Sequence, residues 1–527
     1  MGHTSGTAVT RRNLLAGMGL ATATLGLGAS AAKAEPDAPV FDEEYDVVVV
    51  GFGFAGATAA VYAGDTGAKV LMVDAAPAGH EGGNSRYCAQ VAVYSTDKES
   101  MKTCYRGLGW LMDQDDEVLD AFAEGLGETY DIAKHLGADE AIIWSEYLAS
   151  EEGSDPENKT ARVIRGLRDY GTPEFPELPG SDAIDGVTAH AGIRDAVFYG
   201  IANEAANAHE NVTVWLESPA RHLIQDASGR VTGVTVQHEG ADVRVKAARG
   251  VVLACGGFEC NRQMIQDYLG CPRLAPLGGL YNNGDGIRMT MEVGADLWHM
   301  HVYESIGMLG GNHVEVPDGE RVIYVTSSKF LNAASGSFIC IAEDGSRFFR
   351  EDQVERHGHL YQHGIWRVPN TSNRPHLVFG EAQKTTFEEA GFMPENMGEL
   401  LVSAATAEEL AALIDADPAI LSRTVERFNT YAAQGEDIEF DRAPETMAPF
   451  EGTLYALPLQ PTVLNTQGGP RRNARAQVVG LDGNPIEGLF SAGECGGICA
   501  FSYQGGSNVA ECLVFGKIAG TNAALGV

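Results

Sequence analysis

The chain has 527 residues, 44% of them apolar, and its 37 Lys and Arg residues against 72 Asp and Glu residues give a formal net charge of −35. This length suits two or three domains and argues against a lone binding module. The acidic balance argues against binding to nucleic acid or to an anionic membrane surface, and leaves a soluble surface or a docking face for a basic redox partner as interpretations.

The first 34 residues have the pattern of an export signal. Two adjacent arginines, Arg11 and Arg12, precede an apolar stretch from Leu14 to Ala32, and small residues end it at Ala34. Paired arginines before such a stretch are typical of the twin-arginine route, which exports folded proteins. We predict a signal over 1–34 and a location outside the cytoplasmic membrane, in the periplasm or at the cell surface. An N-terminal membrane anchor is the alternative.

A nucleotide-binding motif follows the signal. Residues 47–50 are a continuous β-branched run, which is typical of a buried parallel strand. Gly51, Gly53 and Gly56 follow at once in GxGxxG spacing, ahead of an Ala-rich helical stretch over 57–67. This order provides a tight turn, close approach to a pyrophosphate, and contact between helix and strand. The unpaired amides at the helix N-terminus then face the phosphates.

A second strand, over 69–73, ends at Asp74. This position is at the expected distance from the glycines for an acid that binds the adenosine ribose. Glycine-rich turns alone are weak evidence because they are common. Strand, glycines, helix, second strand and acid together predict a bound dinucleotide.

Three segments resemble the flavoprotein superfamily of succinate dehydrogenases and fumarate reductases. Residues 82–85, GGNS, look like the segment that lies along the flavin in that family; 250–258, GVVLACGGF, resemble its strand GVVLATGGF; and 488–494, GLFSAGE, resemble its GLYAAGE. The resemblance covers most of the chain from Tyr45 onward and implies FAD, held without a covalent bond. The cofactor contacts that it implies, beyond the glycine motif and Asp74, are Gly83, Asn84, Ser85, Gly256, Gly257, Glu494, Ser507, Asn508 and Val509.

The resemblance implies an α/β fold in which a Rossmann-like FAD-binding domain carries an inserted α+β capping domain. We therefore predict an FAD-binding domain in two parts, over 45–270 and 445–527, with the capping domain over 271–434. Within the cap, amphipathic helices are predicted over 404–413 and 421–433.

Nine cysteines show no CxxC pair and no CxxCH haem motif. Packing by small apolar thiols is the favoured interpretation. An iron–sulfur cluster stays a minor alternative without a motif to support it, and no metal site is predicted. The cysteines in or beside the cofactor motifs are Cys255, Cys260, Cys495, Cys499 and Cys512.

In this superfamily, substrate lies between the flavin ring and the cap, and carboxylate substrates are held by His and Arg side chains. Where the family has HHTMGG, this chain has Asn465 in place of the substrate-binding His. Where it has HGANRLGGNA, Tyr503 replaces the carboxylate-binding Arg, and Ile306 replaces the His of QAHP. A pocket without these anchors is predicted to reject fumarate and to favour an uncharged, larger, partly apolar substrate.

Tyr503, followed by Gly505 and Gly506, resembles the Tyr-Pro-Gly segment of ketosteroid dehydrogenases, whose Tyr hydroxyl donates to the substrate ketone. Hydride addition to an enone builds negative charge on the carbonyl oxygen, and a placed donor stabilises it. We predict that Tyr503, with Ser502 and the amides near Gly505 and Gly506, surrounds that oxygen. In the alternative, Tyr503 packs over the flavin as an aromatic wall.

The proton donor is harder to assign. Residues 346–351 match the family segment KRFVNE, after which an Arg four residues on is the proton shuttle of fumarate reductases. That position is Glu355 here, and Arg356 takes it after a slip of one residue. We predict Glu355 and Arg356 as the candidate relay. A pair of solvated charges is the alternative, with Tyr324 or Tyr361 as proton donor.

These features predict an exported FAD-dependent reductase of an activated C=C bond in a neutral α,β-unsaturated carbonyl compound: a steroid, a cardenolide or a phenolic. Its layout is similar to exported enone reductases of gut bacteria such as cardiac glycoside reductase. Export favours reduction because no NAD(P)H pool exists outside the membrane, so electrons are expected from a membrane-anchored cytochrome or a quinone-linked partner. The alternatives are a 3-ketosteroid dehydrogenase working oxidatively, a carboxylate reductase of the fumarate or urocanate type, and a non-catalytic flavin carrier.

Overall fold

A computed structural model describes residues 39–189, 196–322, 330–362, 365–368, 374–391 and 397–527. The predicted export signal over 1–34 and Tyr324 lie outside the described residues. Among the described helices, none is long and apolar enough to cross a membrane.

An eight-stranded sheet carries the glycine motif. Its β-branched first strand is paired in parallel on both sides, with Val47 opposite Val70 on one side and Gly250 on the other. The strand is therefore central in the sheet, and its residues 47–50 are all buried. Burial of side chains on both faces of such a strand explains the continuous apolar run in the sequence. Six strands lie in the spatial order Gln477–Val479, Pro485–Ser491, Ala241–Leu253, Glu43–Val50, Val70–Val73 and Val212–Trp215, while Ala220–Gln225 and Val231–His238 extend the sheet from Ala241–Leu253.

Two helices, Phe54–Asp65 and Ser507–Leu525, lie against each other beside this sheet. Their contact is close because glycines face the partner backbone. A Cβ atom at Gly520 would lie 2.2 Å from the carbonyl oxygen of Ala59, and one at Gly516 would lie 2.9 Å from that of Ala55. The first and last segments of the FAD-binding part are thereby joined in one core.

A second sheet, of six strands, forms the core of the capping region. Its spatial order is Ala275–Pro276, Leu454–Val463, His376–Phe379 and Phe338–Ile341, and Asn312–Val314 and Val402–Ala404 also pair with Leu454–Val463. The two predicted amphipathic helices are present as Ala407–Ile414 and Pro418–Gln434, and they pack on this sheet. Thr406 and Asp417 cap their N-termini. Strand Leu454–Val463 lies beyond the predicted boundary at 445, yet its pairing places it in the capping sheet.

The remaining described elements lie in smaller sheets, in strand pairs and in further helices. Three strands, Ala92–Tyr94, Asp185–Thr188 and Ile142–Ile143, form one sheet, and three strand pairs join Leu297–Trp298 to Gly469–Pro470, Tyr303–Glu304 to Asn465–Thr466, and Leu360–Gln362 to Ile365–Arg367. The other α-helices are Lys98–Leu108, Asp116–Leu126, Thr129–His135, Trp144–Ala149, Glu151–Ser154, Lys159–Gly171, Val197–Ala208, Arg262–Met264, Asp285–Glu292, Glu381–Glu389 and Met397–Leu400.

Candidate active site

The glycine turn forms one wall of an open cleft. Gly51 has a φ of +108°, and a Cβ atom there would lie 2.3 Å from the carbonyl oxygen of Ala254. A Cβ atom at Gly56 would lie 1.9 Å from the oxygen of Gly51, and one at Gly53 would lie 3.1 Å from Ser85 Oγ. Only glycine therefore lets the strand, the turn and the helix approach so closely, and leaves the backbone open to a pyrophosphate.

Asp74 ends the second strand and lines the same cleft. Its carboxylate accepts hydrogen bonds from the backbone amides of Phe52, at 2.7 Å, and Ala76, at 2.8 Å. Burial raises the pKa of Asp74, although these two bonds oppose the rise. The carboxylate thus braces the glycine turn from the position predicted to receive the ribose.

Glu494 lies at the centre of a buried polar network. Its two carboxylate oxygens accept hydrogen bonds from Asn84 Nδ2, at 2.8 Å, and from Asn508 Nδ2, at 3.0 Å. The Asn84 amide also donates to Glu259, which accepts from the Thr466 backbone amide as well. Burial raises the pKa of Glu494 well above its ordinary value, and that of Glu259 to about 7. These amides fix the carboxyl group that the resemblance assigns to the cofactor.

The cleft fits FAD. Among the described residues that line it, none is Lys, Arg or His. The diphosphate would therefore be met by the backbone amides of the glycine turn and of the helix that starts at Phe54. Three predicted cofactor residues, Gly56, Gly257 and Ser507, do not line the cleft, and the Ser507 hydroxyl is bonded to Tyr105 at 2.6 Å. Those that line it are Gly51, Gly53, Asp74, Gly83, Asn84, Ser85, Gly256, Glu494, Asn508 and Val509.

The predicted substrate residues meet where Tyr503, Asn465 and Leu464 line the cleft. Tyr503 is almost fully buried, with 7% of its surface exposed. Ile306 and Leu464 share one apolar cluster, in which Ile306 is half-buried. Of the residues predicted in place of the superfamily's anchors, Asn465 and Tyr503 therefore line the cleft, whereas Ile306 does not.

A cluster of buried acids surrounds a histidine beside Tyr503. His357 Nδ1 lies 2.8 Å from both carboxylate oxygens of Glu174, and the rings of His357 and Tyr503 are in edge contact, with centroids 4.6 Å apart. Burial raises the pKa values of Glu304 and Glu355 to about 7. Burial also raises the pKa of Tyr503 well above its ordinary value, and Glu304 adds to the rise. This phenol therefore keeps its proton across the neutral range.

Glu304 links the acid cluster to the cofactor network. It is fully buried, and one of its oxygens accepts from Asn465 Nδ2, at 2.6 Å, and from Gln467 Nε2, at 3.0 Å. Gln467 Nε2 is also 3.0 Å from the side-chain oxygen of Asn508. Glu304 Oε1 has no hydrogen-bond partner among the described residues. Asn465, predicted to contact substrate, thus also holds this carboxyl group.

Some predicted site residues are engaged elsewhere. Arg356 does not line the cleft: its guanidinium pairs with Glu177 at 2.5 Å and lies over the rings of Phe175 and Trp366. Glu355, the other predicted relay residue, accepts from the Gly311 amide at 3.1 Å.

The prediction for the carbonyl oxygen is corrected in two places. The Ser502 amide donates to the oxygen of Leu108, and its hydroxyl accepts from Trp110 Nε1, both at 3.0 Å. The Gly505 amide donates to Glu174 at 3.0 Å. These bonds use the amides of Ser502 and Gly505, because the segment folds back on its neighbours, while the Ser502 hydroxyl keeps its own proton to donate. Tyr503 remains, and Gly506, with a φ of +86°, starts the last helix.

The sequence offers no local motif for Glu174 or His357. The two residues come from distant segments, and only the fold brings them together beside Tyr503. Glu304 lies on a short strand that pairs with Asn465, so its place at the site follows from strand pairing. The described residues contain no group of three or more His, Cys, Asp or Glu side chains arranged to hold a metal ion.

The Glu304→Gln substitution is expected to make the protein less sensitive to rising pH. Because burial raises the pKa of Glu304 from 4.5 to about 7, the folded protein holds a proton that the unfolded chain releases from about pH 4.5 upward. This group therefore lowers the free energy of unfolding as pH rises from about 4.5 to 7. Urea unfolding at pH 5 and pH 8 should show that the free energy of unfolding of the variant, relative to that of the wild type, is higher at pH 8 than at pH 5. The control is Glu445→Gln, because Glu445 is exposed. A difference from the wild type that is the same at pH 5 and pH 8, or that changes no more than in Glu445→Gln, would contradict this expectation.

The chain is similar to known flavoproteins over most of its length. The family model described as "FAD binding domain" matches residues 46–509. The chain is 27% identical over 493 residues to a probable fumarate reductase of Shewanella frigidimarina, covering 92% of this chain and 75% of that protein. It is 28% identical over 526 residues to the digoxin reductase of Eggerthella lenta, covering 91% and 87%. The crystal structure of the 3-ketosteroid-Δ4-(5α)-dehydrogenase of Rhodococcus jostii matches with a TM-score of 0.60 at 25% identity, covering 92% of this chain and 98% of that one.

A dinucleotide cleft in a chain that matches the FAD binding domain model, together with its similarity to reductases and a dehydrogenase, defines an FAD-dependent oxidoreductase that acts on carbon–carbon bonds. The chain belongs to the FAD binding domain family, because the family model covers most of its length. The predictions of fold class, FAD and enzyme class are confirmed.

Proposed function

We propose that this oxidoreductase reduces the activated C=C bond of a neutral α,β-unsaturated carbonyl compound such as a steroid, a cardenolide or a phenolic. The observation that carries the proposal is the charge of the site. Around Tyr503 the described groups include Glu174, Glu304 and Glu355, and no Lys or Arg lines the cleft. A substrate carboxylate placed here would face these acids, and the imidazole of His357 beside Tyr503 is already paired with Glu174 at 2.8 Å, so burial makes such an arrangement costly.

Each residue at this end of the cleft suits an uncharged carbonyl substrate. Reduced FAD supplies the hydride when it is bound. Tyr503 donates a hydrogen bond to the carbonyl oxygen, where negative charge builds as the hydride arrives at the β-carbon. Its raised pKa keeps the hydroxyl protonated for that task. Leu464, which lines the cleft and packs in the same apolar cluster as Ile306, offers an apolar surface against which a ring system packs.

The direction of the reaction and the source of electrons belong to the same proposal. Residues 1–34 are proposed to direct export by the twin-arginine route, and a membrane-anchored cytochrome or quinone-linked protein is proposed to reduce the flavin. The digoxin reductase relative supports reduction of a large substrate. The 3-ketosteroid dehydrogenase relative supports the second candidate, oxidation of a ketosteroid, since Tyr503 with its following glycines resembles the same class.

Anaerobic stopped-flow of the dithionite-reduced holoenzyme tests the proposal. We expect 4-androstene-3,17-dione or digoxin to reoxidise the flavin at least about tenfold faster than fumarate or urocanate at equal concentration, because a charged substrate lacks its partner here. Rapid reoxidation by fumarate alone would overturn the proposal. Faster turnover of a saturated ketosteroid with an artificial acceptor would favour the dehydrogenase, and no reaction with any compound would favour a flavin carrier.

A further inference from the structure

Glu174 and His357 form a buried ion pair that the cofactor chemistry alone does not require. Their side chains are 3% and 10% exposed, and Nδ1 lies 2.8 Å from Glu174 Oε1. Glu174 is itself fixed to the segment that carries Tyr503, since it accepts from the Gly505 amide at 3.0 Å and its own amide donates to Gln504 at 2.9 Å. The pair is therefore fixed next to the segment that carries Tyr503.

From this geometry we propose that the Glu174–His357 pair is the proton reservoir for the reduction and delivers its proton through Tyr503. The inference rests on the proposed function. His357 and Glu174 are positioning residues in this scheme, because Tyr503 is the group that touches the substrate. The His357 and Tyr503 rings are in edge contact, with centroids 4.6 Å apart, so the two side chains are direct neighbours.

The electrostatics favour a charged imidazole. Burial lowers the pKa of His357, but Glu174, Glu304 and Glu355 outweigh burial and raise it. Its other titratable neighbours are Tyr503, His359 and the chain neighbour Arg356, whose guanidinium is paired with Glu177 at 2.5 Å. Burial raises the pKa of Tyr503 and lowers that of His359 to about 4, so both stay neutral.

The reaction also needs a group that replaces the proton donated by Tyr503. Reduction of C=C adds one hydride and one proton. Tyr503 is too weak an acid to give up a proton without replacement, because its pKa is well above its ordinary value. In the proposed step the His357 Nε2–H bond breaks as Tyr503 gains that proton and passes its own to the enolate oxygen, where a new O–H bond forms. The enol then becomes the ketone by exchange with water, and the neutral imidazole, still bound to Glu174, is protonated again by solvent.

Histidine NMR tests the charge state without relying on turnover. The FAD-loaded protein labelled with ¹⁵N-histidine is titrated as wild type, as Glu174→Gln, and as His357→Gln, which assigns the resonance. We expect His357 to be protonated at pH 7 and its midpoint to fall by about one pH unit or more in Glu174→Gln. A His357 that is neutral at pH 7 in the wild type would overturn the proposal, and this measurement needs no variant to fold beyond the one used for assignment.

The pH profile of flavin reoxidation by 4-androstene-3,17-dione tests the relay. We expect the wild-type rate to fall as pH rises through the His357 midpoint, the fall to move to lower pH in Glu174→Gln, and the plateau rate to drop about 10²-fold in His357→Gln, as for loss of a general acid. His222→Gln is the matched control, because His222 forms an exposed pair with Glu292 at 2.9 Å.

The two levels of failure are distinguishable. If no neutral enone reoxidises the wild type, the proposed function fails while the NMR titration still shows whether the pair stores a proton. If the wild type reacts and both variants keep its rate and pH profile, the relay is overturned and the proposed function stands. Retained FAD absorbance in each variant shows that the cleft is intact.

Discussion

The Tyr503→Phe substitution is expected to slow reoxidation of the reduced enzyme by a neutral enone by about 10²–10³-fold, the usual effect of removing one donor from an oxyanion site. The ring stays, so the buried packing against His357 is kept and only the hydroxyl is lost. Because the Gly505 amide is already bonded to Glu174, it cannot replace the lost hydroxyl. Stopped-flow at saturating enone gives the rate.

The control for this substitution is Tyr455→Phe. Tyr455 donates to Glu381 at 2.7 Å in the capping region and does not line the cleft. It should leave the reoxidation rate unchanged. A Tyr503→Phe variant with wild-type rate would mean that the phenol is only an aromatic wall, which is the alternative that the sequence leaves open. Equal FAD content in both variants excludes a loss of cofactor as the cause.

The cofactor end of the site could be predicted because its determinants are local. Gly51, Gly53 and Gly56 are needed where three pieces of backbone meet, and such contacts recur at fixed spacing whenever this turn forms. Asp74 follows from the length of one strand, helix and strand unit. The residue type at each of these positions is determined by neighbours within a short stretch of chain, so a single sequence is enough to recognise the pattern.

The substrate end could be predicted only in part. Loss of the cationic anchors at Asn465 and Tyr503 is visible by comparison with the family pattern, and the structure places both residues at the cleft. Glu355 of the acid cluster was predicted as a relay residue, but the pair of Glu174 and His357 was missed, because these two residues are 183 residues apart in the chain and meet only through the fold. The direction of a backbone amide is equally hidden in sequence. The Gly505 amide was therefore assigned to the substrate although it binds Glu174.

The boundary near 445 shows a further limit. The sequence pattern predicted a helix of the cap over 421–433, and the structure has it as Pro418–Gln434. The long strand Leu454–Val463 then pairs with four other strands of the capping sheet before the chain returns to the cofactor at Asn465. Strand pairing of this kind depends on distant partners, so a local pattern cannot reveal to which sheet the strand belongs.

The Arg347→Met substitution is expected to lower the free energy of unfolding by about 3–5 kcal/mol, the usual effect of removing one partner from a buried ion pair. Arg347 is 1% exposed at its side chain and bonds to Glu351 at 2.6 Å and to Asp437 at 2.9 Å. Arg442 also pairs with Glu351, at 3.2 Å, but Asp437 would lose its ion-pair partner. A buried carboxylate left in this state is costly because little solvent reaches it.

The same substitution also connects stability to the site. Arg347 and Glu351 begin the segment that leads to Glu355 and His357, so their ion pair anchors the residues that face Tyr503. Arg350→Met is the matched control: Arg350 pairs with the buried side chain of Asp352 at 2.6 Å, but Arg350 itself is 34% exposed, so solvent can replace part of the interaction and a smaller loss is expected. Urea unfolding of both variants measures the difference. A loss in Arg347→Met no larger than in Arg350→Met would mean that Arg442 alone neutralises the buried carboxylates, and that the segment before His357 is held by packing instead of by charge.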